Sequence, residues 1–264
     1  MFLPSQTHAP SRVEFADTHL GGMAGQPGTA AVVVLLAVLL ATTGWALWVR
    51  RGSWSSRWDI PITASITLQT LGAVLDTPLP TLQIAVSRLL GGPHAATVIA
   101  NLCYLAAALL AVIGLYTRLL PDHWAAAVLN RRVVQPLIAA AAVMVAAFSI
   151  SAAARSGSPL THLYFIPRDG WLTLYWVVYC LALQTLLVVF IYGLGKLDNR
   201  HIWTRLYRVA VLSAVAASMM QLIGLVARPP VLIMLCWSLG YGCTILMSVA
   251  AGMSWLQRAR QVSA

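Results

Sequence analysis

The sequence predicts an all-α fold, a polytopic bundle of seven transmembrane helices with one short amphipathic helix at the membrane interface. Hydrophobic residues make up 59% of the 264 residues and charged residues only 9%. A soluble domain contains about 25% charged residues, so this chain lacks the charge to solvate a globular surface. Apolar runs of roughly 20 residues recur, the length that crosses a bilayer as a helix, and they show no strand-like alternation.

The predicted organisation has three parts. Residues 1–28 lack the features of a secretory signal, so we expect a disordered extracytoplasmic tail, with Met23 as a second candidate start of translation. A short cytoplasmic tail covers residues 258–264. Between them lies the membrane domain, 29–257, with spans at about 29–49, 61–77, 95–116, 133–154, 171–193, 207–227 and 231–255.

Residues 79–90 form an apolar segment that is too short to cross a bilayer. Leu82, Val86 and Leu89 recur at helical spacing, and Gln83 and Arg88 interrupt them. The segment is therefore predicted to be an amphipathic helix at the interface.

The orientation follows from the basic residues, because short cytoplasmic loops are enriched in lysine and arginine. With the N-terminus outside, the outer side carries Arg12, Arg88, Arg155, Arg168 and Arg228. The inner side carries the other twelve: Arg50, Arg51, Arg57, Arg118, Arg131, Arg132, Lys196, Arg200, Arg205, Arg208, Arg258 and Arg260. We therefore predict a multi-pass protein of the cell membrane, with its N-terminus outside and its C-terminus inside.

The net charge of +10 rests almost wholly on arginine. Arginines in short loops are typical of contact with anionic lipid headgroups, so we expect the bilayer as the partner and no nucleic acid. The most basic inner loop is also a candidate surface for a membrane or cytoplasmic protein partner, through Lys196, Arg200, Arg205 and Arg208.

Polar side chains inside the spans are candidates for a cavity that holds a small solute: Thr67, Gln69, Asn101, Gln184 and Gln221. The alternative is hydrogen bonding between helices, worth about 0.6 kcal/mol for each bond. We favour the alternative.

Asp76 is the most membrane-proximal carboxylate. An ionisable group within a membrane is a functional-site hypothesis by default. The predicted topology instead puts Asp76 at the outer end of span two, among the headgroups and near Arg88. On this interpretation, Asp76→Asn leaves activity unchanged.

Two further surfaces have both a functional and a structural interpretation. An outer patch of His162, Asp169, Trp171, Tyr175 and Trp176 either binds a ligand or forms an interfacial aromatic belt, which we favour. A seam of small residues in span seven permits close helix approach, within the bundle or in a homo-oligomer: Gly240, Thr244, Ser248 and Gly252. We favour packing within the bundle.

No sequence motif indicates an enzyme, a metal site or a cofactor. Cys103, Cys180, Cys236 and Cys243 all fall in apolar runs without metal-site spacing, so we interpret them as small hydrophobic residues. No nucleophile elbow is visible, and the absence of lysine from span seven excludes a retinal Schiff base.

Two stretches carry a resemblance to a known group: SRLLGGPHAATVIANLCYLAAALL after the short helix, and YWVVYCLALQTLLVVFIYGL followed by RHIWTRLYR. Over about residues 30–257 the chain resembles actinobacterial seven-helix membrane proteins, some encoded in prophages, that are named only as transporters. The resemblance implies no substrate and no catalytic residues.

Two functions therefore stay open. We favour a non-enzymatic binding or regulatory membrane protein, acting as a sensor or in exclusion of an incoming phage. The alternative is a small-solute transporter or channel, with a polar path between spans two, three and five. An intramembrane enzyme is the least favoured.

Overall fold

The computed structural model describes residues 27–56, 59–77, 80–90, 94–120, 129–156, 163, 166–197, 200–226 and 230–263. Within these ranges the regular structure is helical throughout. The helices are α1 Pro27–Val49, α2 Ile60–Leu75, α3 Pro80–Leu90, α4 Ala95–Leu119, α5 Gln135–Ile150, α6 Ala152–Ser156, α7 Gly170–Leu194, α8 Ile202–Val226 and α9 Pro230–Ser263. A 3-10 turn, Arg51–Ser55, follows α1, and a π-helical turn, Asn130–Val134, leads into α5.

Six of the described helical segments are long and apolar enough to cross a membrane: Ala30–Val49, Ala95–Leu119, Asn130–Ile150, Gly170–Leu194, Ile202–Val226 and Met234–Gln261. The described part of the chain is therefore all-helical, and its apolar helices indicate an integral membrane protein, as the composition predicts. The predicted second span is the apolar helix α2, which has only 16 residues. The predicted N-terminal tail, residues 1–28, lies outside the described residues except for its last two positions.

The predicted boundaries of two helices were wrong. Residues 202–206, predicted as a loop, begin α8, and residues 256–263, predicted largely as a tail, continue α9. Trp203 explains both differences, because its Nε1 donates a 2.9 Å hydrogen bond to Oε1 of Gln257 and ties the two helical extensions together.

Interhelical contacts establish the directions of the central helices. Helix α2 runs antiparallel to α4, since Ser65 Oγ donates to the Ala107 carbonyl at 2.8 Å while Gly72 lies against Ala100. A Cβ on Gly72 would be 3.1 Å from the Ala100 carbonyl oxygen, so glycine allows this close approach. Helix α7 also packs on α4, and α8 and α9 complete the bundle with α1, while α5 contacts α7 at the periphery.

One end of the bundle is held by a buried ionic cluster around Asp59. Its carboxylate accepts hydrogen bonds from Arg118 Nη2 at 2.6 Å and from Arg258 Nη1 at 3.0 Å. Arg50 donates to the Asp59 carbonyl and to Thr63, and burial lowers the pKa of its guanidinium, which still stays charged at neutral pH. The ends of α1, α4 and α9 thus meet the start of α2 at this basic end.

Candidate functional site

A cavity of about 100 Å³ lies within the bundle and is lined by α2, α4, α7, α8 and α9. Its end away from the basic end is polar, with Gln69, Asp76, Tyr104, Tyr179, Gln221 and Tyr241. Its other end is apolar, with Leu186, Leu187, Phe190, Val211 and Met247. Tyr179 and Phe190 are separated by roughly 16 Å along α7, so the cavity is elongated along the bundle axis.

Asp76 lies in the wall of this cavity, where its residue is only 9% exposed. It directly follows α2, and its N–H donates to the Gly72 carbonyl at 2.8 Å. The next residue, Thr77, bonds the Tyr241 hydroxyl at 3.1 Å, which holds this turn against α9. The structure places Asp76 at a helix end, as the sequence predicts, and buries it in the cavity wall because the chain turns in against α9.

The cavity wall offers hydrogen-bond acceptors and a single formal charge. Asp76 is the only formally charged side chain among the lining residues that the structure describes. Oε1 of Gln69 is buried and accepts no hydrogen bond in the described part of the chain. A carboxylate and an amide oxygen favour a bound group that donates hydrogen bonds or carries positive charge.

The predicted polar residues divide into two groups. Gln69 and Gln221 line the cavity. The other three bond elsewhere: Asn101 Nδ2 donates to the Tyr175 hydroxyl at 2.8 Å, Gln184 Nε2 lies 3.3 Å from Met219 Sδ, and Thr67 Oγ1 donates to the Thr63 carbonyl at 3.0 Å.

Sequence reasoning missed Tyr104 and Tyr241 as lining residues. Each is a tyrosine well inside an apolar helix rather than at its end. That position was a usable signal, because a membrane-interface tyrosine is expected near a helix terminus.

The described residues of the predicted outer patch do not form one surface. Trp171 is 47% exposed, whereas Tyr175 and Trp176 are buried and pack edge to face with ring centroids 5.3 Å apart. Asp169 caps α7, and His162 lies outside the described residues. The two buried rings belong to the bundle core because α7 packs between α4, α5 and α8.

Asp169 joins the start of α7 to the end of α5. Its carboxylate accepts hydrogen bonds from the N–H of Leu172 at 2.7 Å, the N–H of Ala153 at 3.2 Å and the Ser151 hydroxyl. Burial acts to raise the pKa of this carboxyl, but the hydrogen bonds prevail and hold the pKa below its ordinary value.

The predicted seam of small residues is occupied by the chain's own first helix. Ser248 bonds Thr43 of α1 at 3.1 Å, and Gly252 lies against the Trp45 ring so closely that a Cβ would overlap it. Thr244 is buried, and Gly240 lines the cavity. Ser248 and Gly252 thus pack within the bundle, while Gly240 and Thr244 line the cavity.

The predicted inner basic residues lie at the α7–α8 connection. Lys196 lies 5.1 Å from the Tyr192 ring centroid, and Arg208 donates to the Leu194 carbonyl at 2.9 Å. Arg200 and Arg205 are exposed. These residues surround the connection without forming a single site.

All four cysteines are free and buried. Cys236 and Cys243 line the cavity, while Cys103 and Cys180 do not. Over the ranges that the structure describes, no three histidine, cysteine or acidic side chains come together as a metal site.

The chain matches no protein-family model, no curated protein and no solved structure.

Proposed function

We propose that the protein is a non-enzymatic ligand-binding protein of the cell membrane, and that its ligand occupies the central cavity. The observation that carries this proposal is the burial of Asp76 in the wall of that cavity, between five helices. A carboxylate in such a place is costly, and residues of this kind in membranes commonly serve ligands, ions or protons. A ligand that contacts five helices at once could alter their packing, which suits a sensor.

The two ends of the cavity favour an amphiphilic ligand. An amine or another hydrogen-bond donor would meet Asp76 and Gln69, while its apolar body would extend toward Phe190. A cavity of about 150 Å³ takes benzene in a soluble protein, so about 100 Å³ admits at most roughly one ring. We therefore expect a small amine with a compact apolar group.

The proposed topology has seven passes, with α2 as the second. Both α1 and α4 end at the Asp59 cluster, so the chain must cross back between Arg50 and Ala95. Helix α2 runs antiparallel to α4, which supports its role as that pass. Its rise of about 24 Å falls short of the roughly 30 Å hydrocarbon layer, a mismatch that local thinning accommodates. Helix α3 would then lie at the interface opposite the basic, cytoplasmic end.

A thermal-shift panel tests the ligand site. Matched pairs such as isopropylamine with isopropanol, and cyclobutylamine with cyclobutanol, are small enough for the cavity and are added to detergent-solubilised protein. We expect an amine to raise the melting temperature of the wild type more than its alcohol does, and Asp76→Asn to abolish the difference. Asp169→Asn, which makes the same change outside the cavity, should preserve it. An amine effect that survives in Asp76→Asn contradicts the proposal.

Transport is the second candidate function, favoured by one observation. Phe190 lines both the central cavity and a second cavity at the basic end, and so lies between them. A rotation of this one ring could join the two into a path beside α2, α4 and α7. Uptake of the amine into proteoliposomes, increased by Phe190→Ala, would favour transport; binding without uptake would favour a sensor.

A further inference from the structure

The second cavity lies at the basic end of the bundle and has a volume of about 200 Å³. Arg50, Arg118 and Arg258 contribute to its wall. Most of the remaining wall is apolar or aromatic: Ile62, Leu115, Phe190, Leu194, Trp203 and Tyr207. The cavity therefore combines three guanidinium groups with a surface suited to hydrocarbon.

The described residues around this cavity carry more positive than negative charge. Asp59 is the only carboxylate that contacts the three arginines in the part of the chain that the structure describes. The Asp59 carboxylate is also saturated, because Ser56 Oγ donates to it at 3.0 Å besides Arg118 and Arg258. Among the residues that the structure describes, two of the three positive charges thus have no carboxylate to match them.

The three arginines differ in what they can still bind. Arg50 has a side chain only 2% exposed and uses Nε, Nη1 and Nη2 on Thr63, Ala251 and Asp59. Arg118 and Arg258 are 32% and 47% exposed and each contacts Asp59 through one terminal nitrogen. A guanidinium carries five N–H donors, so within the described part of the chain both keep donors for a further acceptor.

We propose that this pocket binds the phosphate group of an anionic membrane phospholipid. Arg118 and Arg258 would hold the phosphate oxygens, since the planar fork of arginine matches a phosphate with two parallel hydrogen bonds. The apolar wall beside Phe190 and Leu194 would take the first part of an acyl chain. Basic pockets between transmembrane helices suit this chemistry on the cytoplasmic side. This pocket is distinct from the Asp76 cavity, so an experiment can contradict one of the two proposed sites without contradicting the other.

Nanodiscs of phosphatidylcholine, with and without phosphatidylglycerol, test the proposal. Native mass spectrometry counts the phosphatidylglycerol that the released protein retains. We expect retention by the wild type and a loss of about fivefold or more in affinity for Arg118→Gln and for Arg258→Gln. Arg131→Gln is the matched control, because it removes the same charge from an exposed residue that does not line the pocket. An equal loss in Arg131→Gln would overturn the proposal, as would full retention by both pocket variants.

Two further experiments distinguish lipid binding from its alternatives. One controls for misfolding of the variants, and the other controls for binding of free phosphate. Arg258→Lys keeps the charge beside Asp59 but lacks the fork, so it should fold and still retain less phosphatidylglycerol. Inorganic phosphate, added to protein in phosphatidylcholine nanodiscs, should raise the melting temperature less than phosphatidylglycerol does. Full retention by a folded Arg258→Lys, or a phosphate effect equal to that of the lipid, would overturn the assignment.

Discussion

Nη1 of Arg258 lies 3.0 Å from each carboxylate oxygen of Asp59, a residue 199 positions earlier in the chain. The contact joins the last helix to the start of the second. Arg50 and Arg118 approach the same carboxylate from two other helix ends. Asp59 therefore holds four segments together at the basic end, through a group that is itself only 4% exposed.

Replacement of Asp59 by asparagine should destabilise the protein strongly. The variant keeps the shape of the side chain but leaves the buried Arg50 without a counter-charge, and removal of one partner of a buried pair costs about 3–5 kcal/mol. We expect a loss near the lower figure in the free energy of unfolding in detergent, because Arg118 and Arg258 are partly solvated. In a double-mutant cycle, Arg258→Gln should lower the free energy of unfolding less in the Asp59→Asn background than in the wild type. A loss below about 0.5 kcal/mol for Asp59→Asn would disprove the role of the cluster.

Acidic pH should remove the contribution of Asp169 to the stability of the folded protein. Its pKa is lower in the folded protein than in the unfolded chain, so its stabilisation is complete above the unfolded value of about 3.9 and disappears as the pH falls through the folded pKa. The melting temperature of the wild type should therefore fall below about pH 4 relative to Asp169→Asn. The asparagine still caps α7 but does not titrate, which makes it the matched control. Parallel melting curves for the two proteins down to pH 2 would rule this contribution out.

The contribution of the Asp169 cap to the free energy of unfolding should also be measurable at neutral pH. Asp169→Ala removes the acceptor for the N–H of Leu172 and Ala153 and should cost about 1 kcal/mol, whereas Asp169→Asn should cost less. Chemical unfolding in detergent measures both changes. Equal stability of the alanine variant and the wild type would show that the junction of α5 and α7 does not depend on this carboxylate.

Gly252 should tolerate a side chain poorly. A methyl group there would overlap the far edge of the Trp45 ring, so we expect Gly252→Ala to cost about 1 kcal/mol because this partly exposed ring must move away from α9. Gly242 lies on the same helix with no atom within 4 Å of an added Cβ, and Gly242→Ala should be neutral or slightly stabilising. Comparison of the two melting temperatures checks this. Similar values would mean that α1 does not pack as described.

The positions of the apolar helices were predictable because a helix that crosses a bilayer needs an uninterrupted run of about 20 apolar residues. Which face of each helix packs inward was not, since lipid tails and the bundle core are equally apolar. Tyr175 and Trp176 show this, because they were assigned to an interfacial belt and lie in the core. The contact between Asp59 and Arg258 was equally hidden, because only tertiary packing brings such distant residues together.

The candidate site was predictable only in part for the same reason. Gln69 and Gln221 were recognised as polar residues within spans, and both line the cavity. Asn101 is just as polar but turns toward Tyr175, a difference that depends on helix rotation. Asp76 was judged from its place at the end of a span, without the turn through Thr77 that brings it against α9.

A ligand-sized cavity between α2 and α9 should be accessible to small molecules. Methyl methanethiosulfonate labelling of the four native cysteines, followed by peptide mass spectrometry, tests it most directly. Cys236 and Cys243 line the cavity and should react first. Cys103 is as exposed as Cys236 but lies outside the cavity and should react slowly, as should the fully buried Cys180. An amine from the matched panel should slow the first pair alone. Equal labelling of all four cysteines, or labelling only after denaturation, would contradict the account.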